Sequence, residues 1–145
     1  MIRFSKQVKI HDFAEVIWNI MVDVEHWNEW TISINRIKKL TTSTFSEGTR
    51  LLIEQPKLPK AVWKVSEIEE GKSFAMTKGN FFLKVIARHV LEPVSDGTLV
   101  TLSLEFSGLF AKWVAEKYKS LMEEYLAAEA AGLKKESESN MRMVF

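Results

Sequence analysis

An α+β domain built on one antiparallel sheet is the fold class this sequence predicts, and three observations carry it. Six short segments of strand character follow one another between Ile34 and Ser107, broken by glycine-containing turns. A long amphipathic stretch follows them, from about Leu109 to Leu133. Between an N-terminal helical pattern and the strands lies Asp23-Val24-Glu25-His26-Trp27-Asn28-Glu29-Trp30, with two large rings three residues apart among polar neighbours.

The elements can be justified in order. Ile2, Phe4, Val8 and Ile10 alternate, interrupted by Lys6, and predict an opening strand with one wet face. Asp12 is placed to cap a helix, with Glu15 at the capping-box position and Phe13, Val16, Ile17, Ile20 and Met21 as its apolar side. Trp27 and Trp30 suit a short helical turn whose rings seal one end of a core. Strands are expected at Ile34 to Thr41, Thr49 to Gln55, Ala61 to Glu69, Ser73 to Thr77, Leu83 to Glu92 and Leu99 to Ser107. Turns fall at Glu47-Gly48, Glu70-Gly71, Gly79-Asn80 and Asp96-Gly97, the last being the clearest hairpin signal. Connections this short require antiparallel neighbours, because parallel ones need a crossover of a dozen or more residues. In the final helix Phe110, Val114, Tyr118, Leu121, Tyr125 and Ala128 form the stripe to be buried, opposite Lys112, Glu116, Lys119 and Glu123.

Composition narrows the function. The 145 residues are 46% hydrophobic and 27% charged, with a net charge of +1, enough for one domain with a sizeable core. Lys and Arg alternate with Asp and Glu and form no basic block, which argues against a nucleic-acid partner. The chain has no cysteine, so disulfides, thiolate nucleophiles and sulfur-ligated metals are excluded. No run approaches the ~18 apolar residues of a membrane span, and the start of the chain has no apolar signal core. A cytoplasmic protein without stable membrane insertion is expected. Residues 1–133 read as a single ligand-binding domain and residues 134–145, beginning Lys134-Lys135-Glu136 after Gly132, as a polar C-terminal tail or solvated helix end.

Asp23, Trp27 and Trp30, followed by a second strand, by further strands and by a long terminal helix, resemble the START-like (SRPBCC) superfamily, specifically its polyketide cyclase/dehydrase and lipid-transport group. The resemblance covers nearly the whole chain. It implies the helix-grip fold, with element order β-α-α-β-β-β-β-β-β-α, in which a curved sheet of about seven strands wraps a long C-terminal helix and encloses a cavity. The family implies no fixed catalytic set.

Strand parity then nominates residues for that cavity. His89 shares parity with Leu83, Val85, Ala87 and Leu91, while Lys84, Arg88 and Glu92 alternate outward. The same argument selects Trp63 and Val65, Phe74 and Met76, Leu102, Leu104 and Phe106, although Trp63 lies between Val62 and Lys64 and its face stays open. From the helix, Phe110, Val114, Tyr118 and Leu121 should roof the cavity, with Trp113 at its mouth. The ligand-binding set is thus Trp63, Phe74, Met76, Val85, His89, Leu102, Leu104, Phe106, Phe110, Val114 and Tyr118. For any single one of these residues ordinary core packing is the default reading, and only an actual void would reverse it.

The chain has no metal-ligand spacing among His11, His26 and His89, and no nucleophile elbow, dinucleotide loop or phosphate loop. No cofactor or metal is expected. Binding or transport of a small hydrophobic ligand, whether lipid-like, aromatic or polyketide-like, is therefore the leading expectation. The alternative is a polyketide cyclase or dehydratase in which His89 or Tyr118 moves a proton. A third class is a docking or homodimer role for the apolar end Met141-Arg142-Met143-Val144-Phe145.

Overall fold

Alternation along the strands becomes a single sheet with one apolar and one polar face. The computed structural model describes residues 1–42 and 44–143, and for 140–143 it describes the backbone alone. Strand β1 (Ile2–Ile10) is followed by helix α1 (Ala14–Val22), a 3-10 turn (Val24–His26) and the single-turn helix α2 (Trp27–Trp30). Then come β2 (Arg36–Lys39), β3 (Arg50–Glu54), β4 (Ala61–Glu69), β5 (Ser73–Gly79), β6 (Lys84–Val94) and β7 (Gly97–Ser107). Helices α3 (Ala111–Lys117) and α4 (Lys119–Met143) complete the chain. The seven strands lie in the order β1-β7-β6-β5-β4-β3-β2, every pair antiparallel. This is the curved sheet and long C-terminal helix of the helix-grip fold. No described helix is long and apolar enough to cross a membrane.

Register sets the two faces. Val85, Ala87, His89 and Leu91 on β6 are buried with Val100, Leu102 and Phe106 on β7 and Phe74 and Met76 on β5. On the opposite face Arg88 donates hydrogen bonds to Glu105 and Glu67 at 2.6 and 2.7 Å. A bulge between Val65 and Glu67 keeps Val65 and Ile68 on one side although they are three residues apart. It turns Ser66 outward, where its hydroxyl meets that of Thr77 at 2.7 Å.

Several local expectations are corrected. Asp12 does not cap α1: Phe13 holds the N-cap position without a side-chain bond, and Asp12 Oδ1 instead accepts from the Phe13 N–H at 2.7 Å. Phe13 is accordingly exposed, and Ile17, Trp18 and Met21 carry the buried side. The β6–β7 hairpin turns at Ser95-Asp96, since Val94 pairs with Gly97. Asp96 takes the left-handed backbone there, with φ +70°. Gly97 is required because the Ile10 carbonyl oxygen passes where its Cβ would lie. The second strand shrinks to Arg36–Lys39.

The largest correction concerns the C-terminal helix. It is interrupted at Tyr118, whose φ of −105° and ψ of 12° depart from helical values. The Tyr118 N–H still reaches Val114 O and its own carbonyl still accepts from Met122 N–H. One helical wheel drawn across the break therefore misplaces the second half: Met122, Tyr125, Leu126, Ala130 and Leu133 are buried, whereas Leu121 and Ala128 are only partly so. Nor does the helix end at about Leu133. It continues through the segment expected as a tail, with Ser137 fully buried. Lys134 donates to Lys9 O at 2.9 Å and Glu138 accepts from His11 N–H at 3.1 Å, which ties this end to β1 and the turn after it. The side chains of Met141 to Phe145, nominated as a docking end, lie outside the described residues.

Gly132 is a point of contact. A Cβ there would overlap the carbonyl oxygen of Trp30, so α4 and α2 meet backbone to backbone. Gly132→Ala gains about 1 kcal/mol of helix propensity but must push two backbones apart, at a cost of about 1 to 3 kcal/mol. Urea denaturation should show a net loss of stability, and a net gain would contradict the close contact.

Candidate functional site

The concave face is not filled. Between it and α3–α4 lies a cavity of about 410 Å³. Its sheet wall includes Trp63, Met76, Val85, Ala87, Leu102, Leu104 and Phe106. Val114, Tyr118, Met122, Tyr125 and Leu126 face them from the helices. Ile53, Leu58 and Pro59 from β3 and the following loop contribute to one side, and Trp113, itself largely exposed, to another.

Nine of the eleven residues nominated from the sequence lie in this wall: Trp63, Met76, Val85, His89, Leu102, Leu104, Phe106, Val114 and Tyr118. Two do not. Phe74 is buried behind His89, its ring stacked on the imidazole at 4.3 Å with planes 10° apart. Phe110 is half exposed just ahead of α3, with its ring on Phe82 at 6.1 Å. Gly108 ends the strand pattern two residues earlier, and Phe110 belongs to the turn that follows.

His89 lies 4% exposed in an aromatic setting, with Phe74 on one side and the Trp27 ring centroid 5.6 Å away. Its Nε2–H donates to Glu129 Oε1 at 2.9 Å, the tautomer following from a carboxylate that can only accept. Nδ1 is buried without a partner. Trp27 is 2% exposed and its indole N–H donates to Met21 O at 2.9 Å. Trp30 is partly buried, 6.2 Å from Trp27. The pair closes the end of the core where α2 meets α4.

Sequence reasoning missed three polar groups of the wall. Glu129 falls on the buried face of α4 with Met122, Leu126 and Leu133, a spacing of four, three and four that is visible once the helix is restarted at Tyr118. Lys78 has the parity of Phe74 and Met76, one alternation beyond where the strand was expected to end. Its ammonium lies 4.8 Å from the Trp63 ring centroid, and burial holds its pKa below the usual lysine value. Tyr125 belongs to the stripe that the sequence marks for burial. Its hydroxyl is buried without a partner, and burial first, then Glu124, pushes its pKa up.

His11 and His26 stay outside the site. His11 is exposed beside Asp96 O, and His26 is exposed with Nδ1 2.8 Å from Asp23, a hydrogen bond that raises its pKa. Among the described residues no three His, Cys, Asp or Glu side chains cluster as metal ligands would.

A curved antiparallel sheet gripping a helix around a largely apolar chamber defines the class of START-like cavity proteins. The chain belongs to the family described as "Polyketide cyclase / dehydrase and lipid transport", whose model matches residues 1–138. That match runs past Leu133 into the helical segment expected as a tail. No curated protein matches the chain. Solved structures share its fold. A hypothetical protein from Helicobacter pylori has a TM-score of 0.76 at 20% identity, covering 94% of this chain and 88% of its own. A START superfamily protein from Mycobacterium smegmatis gives 0.71 at 21% identity, covering 92% and 97%. The Zhui aromatase/cyclase from Streptomyces sp. R1128 gives 0.74 at 12% identity, covering 97% and 95%.

The His89–Glu129 pair carries a stability consequence. Glu129→Leu leaves both imidazole nitrogens buried without partners and should cost about 1 to 3 kcal/mol, whereas Glu129→Gln retains an acceptor and should cost less. Chemical denaturation of the two variants decides, and a leucine variant as stable as the wild type would show that the pair contributes nothing.

Proposed function

We propose that this protein binds a small hydrophobic ligand, lipid-like, aromatic or polyketide-like, in its internal cavity, and acts as a carrier or sequestering module. The observation that carries the reading is the chamber of about 410 Å³ between sheet and helix, within the roughly 300 to 1,000 Å³ typical of small-molecule pockets. Its wall is dominated by Leu, Val, Met and aromatic side chains, which adapt to flat or flexible apolar shapes. The family description, with lipid transport among its activities, supports the same reading. We place the activity in the cytoplasm and without a nucleic-acid partner, on the cysteine-free composition and the interspersed charges. A homodimer is compatible with it.

A specific observation favours a second reading. His89, Glu129, Tyr118 and Tyr125 bring four titratable side chains to one chamber, the convergence a cyclase or dehydratase needs to move protons on a poly-carbonyl substrate. Two of the polar atoms, His89 Nδ1 and the Tyr125 hydroxyl, are sealed from the void, and this weighs toward binding. Proton transfer from His89 or Tyr118 belongs to the enzyme reading alone.

Binding is tested with Nile red, a neutral dye that brightens in apolar surroundings. Wild type should bind it, and Ala87→Phe, which places a ring in the void, should weaken binding at least about tenfold, equal to 1.4 kcal/mol. Thr101→Val on the opposite face should leave it unchanged. Equal dye affinity in wild type and folded Ala87→Phe would overturn the cavity reading. Accelerated ring closure of a poly-β-carbonyl thioester, lost in Tyr118→Phe and Glu129→Gln, would replace carrier by enzyme.

A further inference from the structure

Three residues with acidic or strongly basic side chains contribute to the cavity wall: Lys78, Arg88 and Glu129. Two of them are engaged. Arg88 directs its guanidinium to the outer face, onto Glu105 and Glu67, and Glu129 holds His89. Lys78 differs. Among the described residues its ammonium has no carboxylate within ion-pair distance and no hydrogen-bond acceptor; its recorded contact is the face of Trp63 at 4.8 Å.

Such a cation is costly. An ammonium partly withdrawn from water is destabilised unless an anion or several acceptors replace the lost hydration. A ring face compensates only a part of that cost. The strand leaves Lys78 no outward option, because it shares parity with the buried Phe74 and Met76 and pairs with the buried Val85 on β6. The desolvation that depresses its ionisation has the same origin. Beyond Lys78 the wall continues apolar through Leu83, Val85, Leu102 and Phe106. A chamber lined mostly by apolar side chains, whose one ammonium has no carboxylate within ion-pair distance among the described residues, is complementary to an amphiphile with a single negative charge.

We propose that the cavity takes an apolar monocarboxylic acid, with its carboxylate on the Lys78 ammonium and its chain or ring system against Leu102, Phe106 and Met122. The proposal rests on the hydrophobic-ligand reading above and narrows it to one ligand class. Phosphate and sulfate monoesters are disfavoured, since a second formal charge or a larger anionic head would meet a single free cation among the described residues, the Arg88 guanidinium being taken up by Glu105 and Glu67.

The test compares decanoate with decanamide and 2-naphthoate with 2-naphthamide, pairs alike in shape and different in charge, by calorimetric titration. Wild type should bind each acid at least about tenfold tighter than its amide, as a charge-assisted hydrogen bond requires. Lys78→Met should lose the preference for each acid over its amide. Lys78→Arg should keep it. Removing an unpaired cation does not threaten the fold, so the Lys78→Met melting temperature should not fall. Equal affinity of wild type for acid and amide, or a preference that survives in Lys78→Met, overturns this proposal and leaves the hydrophobic-ligand reading standing. Failure of all four probes and of Nile red overturns both.

Discussion

The structure depends on where the long helix is allowed to touch the rest of the chain. At Gly132 the absence of a side chain lets α4 approach the Trp30 carbonyl directly. Lys134 and Glu138 then tie the following turns to Lys9 and His11. At the other end the helix is interrupted at Tyr118 and α3 departs over the open face of the sheet. Contact is backbone to backbone at Gly132, α3 packs on β7 and β1 with Ala111 and Ala115 buried, and the volume left between helices and sheet is the chamber. Had α4 settled along its whole length against β6 and β7, Leu102, Phe106, Met122 and Leu126 would have closed on one another as an ordinary core.

An open chamber costs stability, because wall atoms give up contacts that close packing supplies. The chain offsets that cost at the closed end, where Phe74 meets Trp18, Trp27 and His89, and Trp27 also meets His89, at ring separations of 4.3 to 6.2 Å. Aromatic pairs of this geometry contribute beyond their buried area. Packing is concentrated at one end so that the other can stay open, and the polar groups follow the same division. His89 is held between the two regions, anchored by Glu129 and stacked on Phe74, while Lys78 stands at the chamber without an anion.

Much of this was legible in the sequence wherever period two governs. Val85, His89, Leu102 and Phe106 could be assigned to one face from alternation alone, because a strand side chain has only two directions. Seven strands, their order of appearance and the antiparallel pairing followed from the turns. The helices were harder. A period of 3.6 propagates an error at every interruption, so a break at Tyr118 with no proline or glycine to signal it concealed Glu129 and promoted Leu121. Gly132 gives no sign of its role in the sequence, since its close approach to Trp30 depends on a partner about a hundred residues away in the chain. Lys78 was overlooked because a lysine at a strand end normally reaches water, and only the path of neighbouring β4 brings Trp63 over it. Asp12 followed the capping pattern, yet its carboxylate turned back onto its own neighbour.

Methionine methyl groups offer the most direct measurement of the central claim. Met76 lies in the sheet wall and Met122 in the helix wall, Met21 is buried in the closed core, and Met1 is exposed. With the methyl carbons labelled and the protein titrated with the neutral 2-naphthamide, nuclear magnetic resonance should show the Met76 and Met122 signals shifting together along one binding curve while Met1 and Met21 stay in place. Shifts confined to Met1, or an absence of shifts at Met76 and Met122 under saturating ligand, would mean that the space between sheet and helix is not where this protein binds.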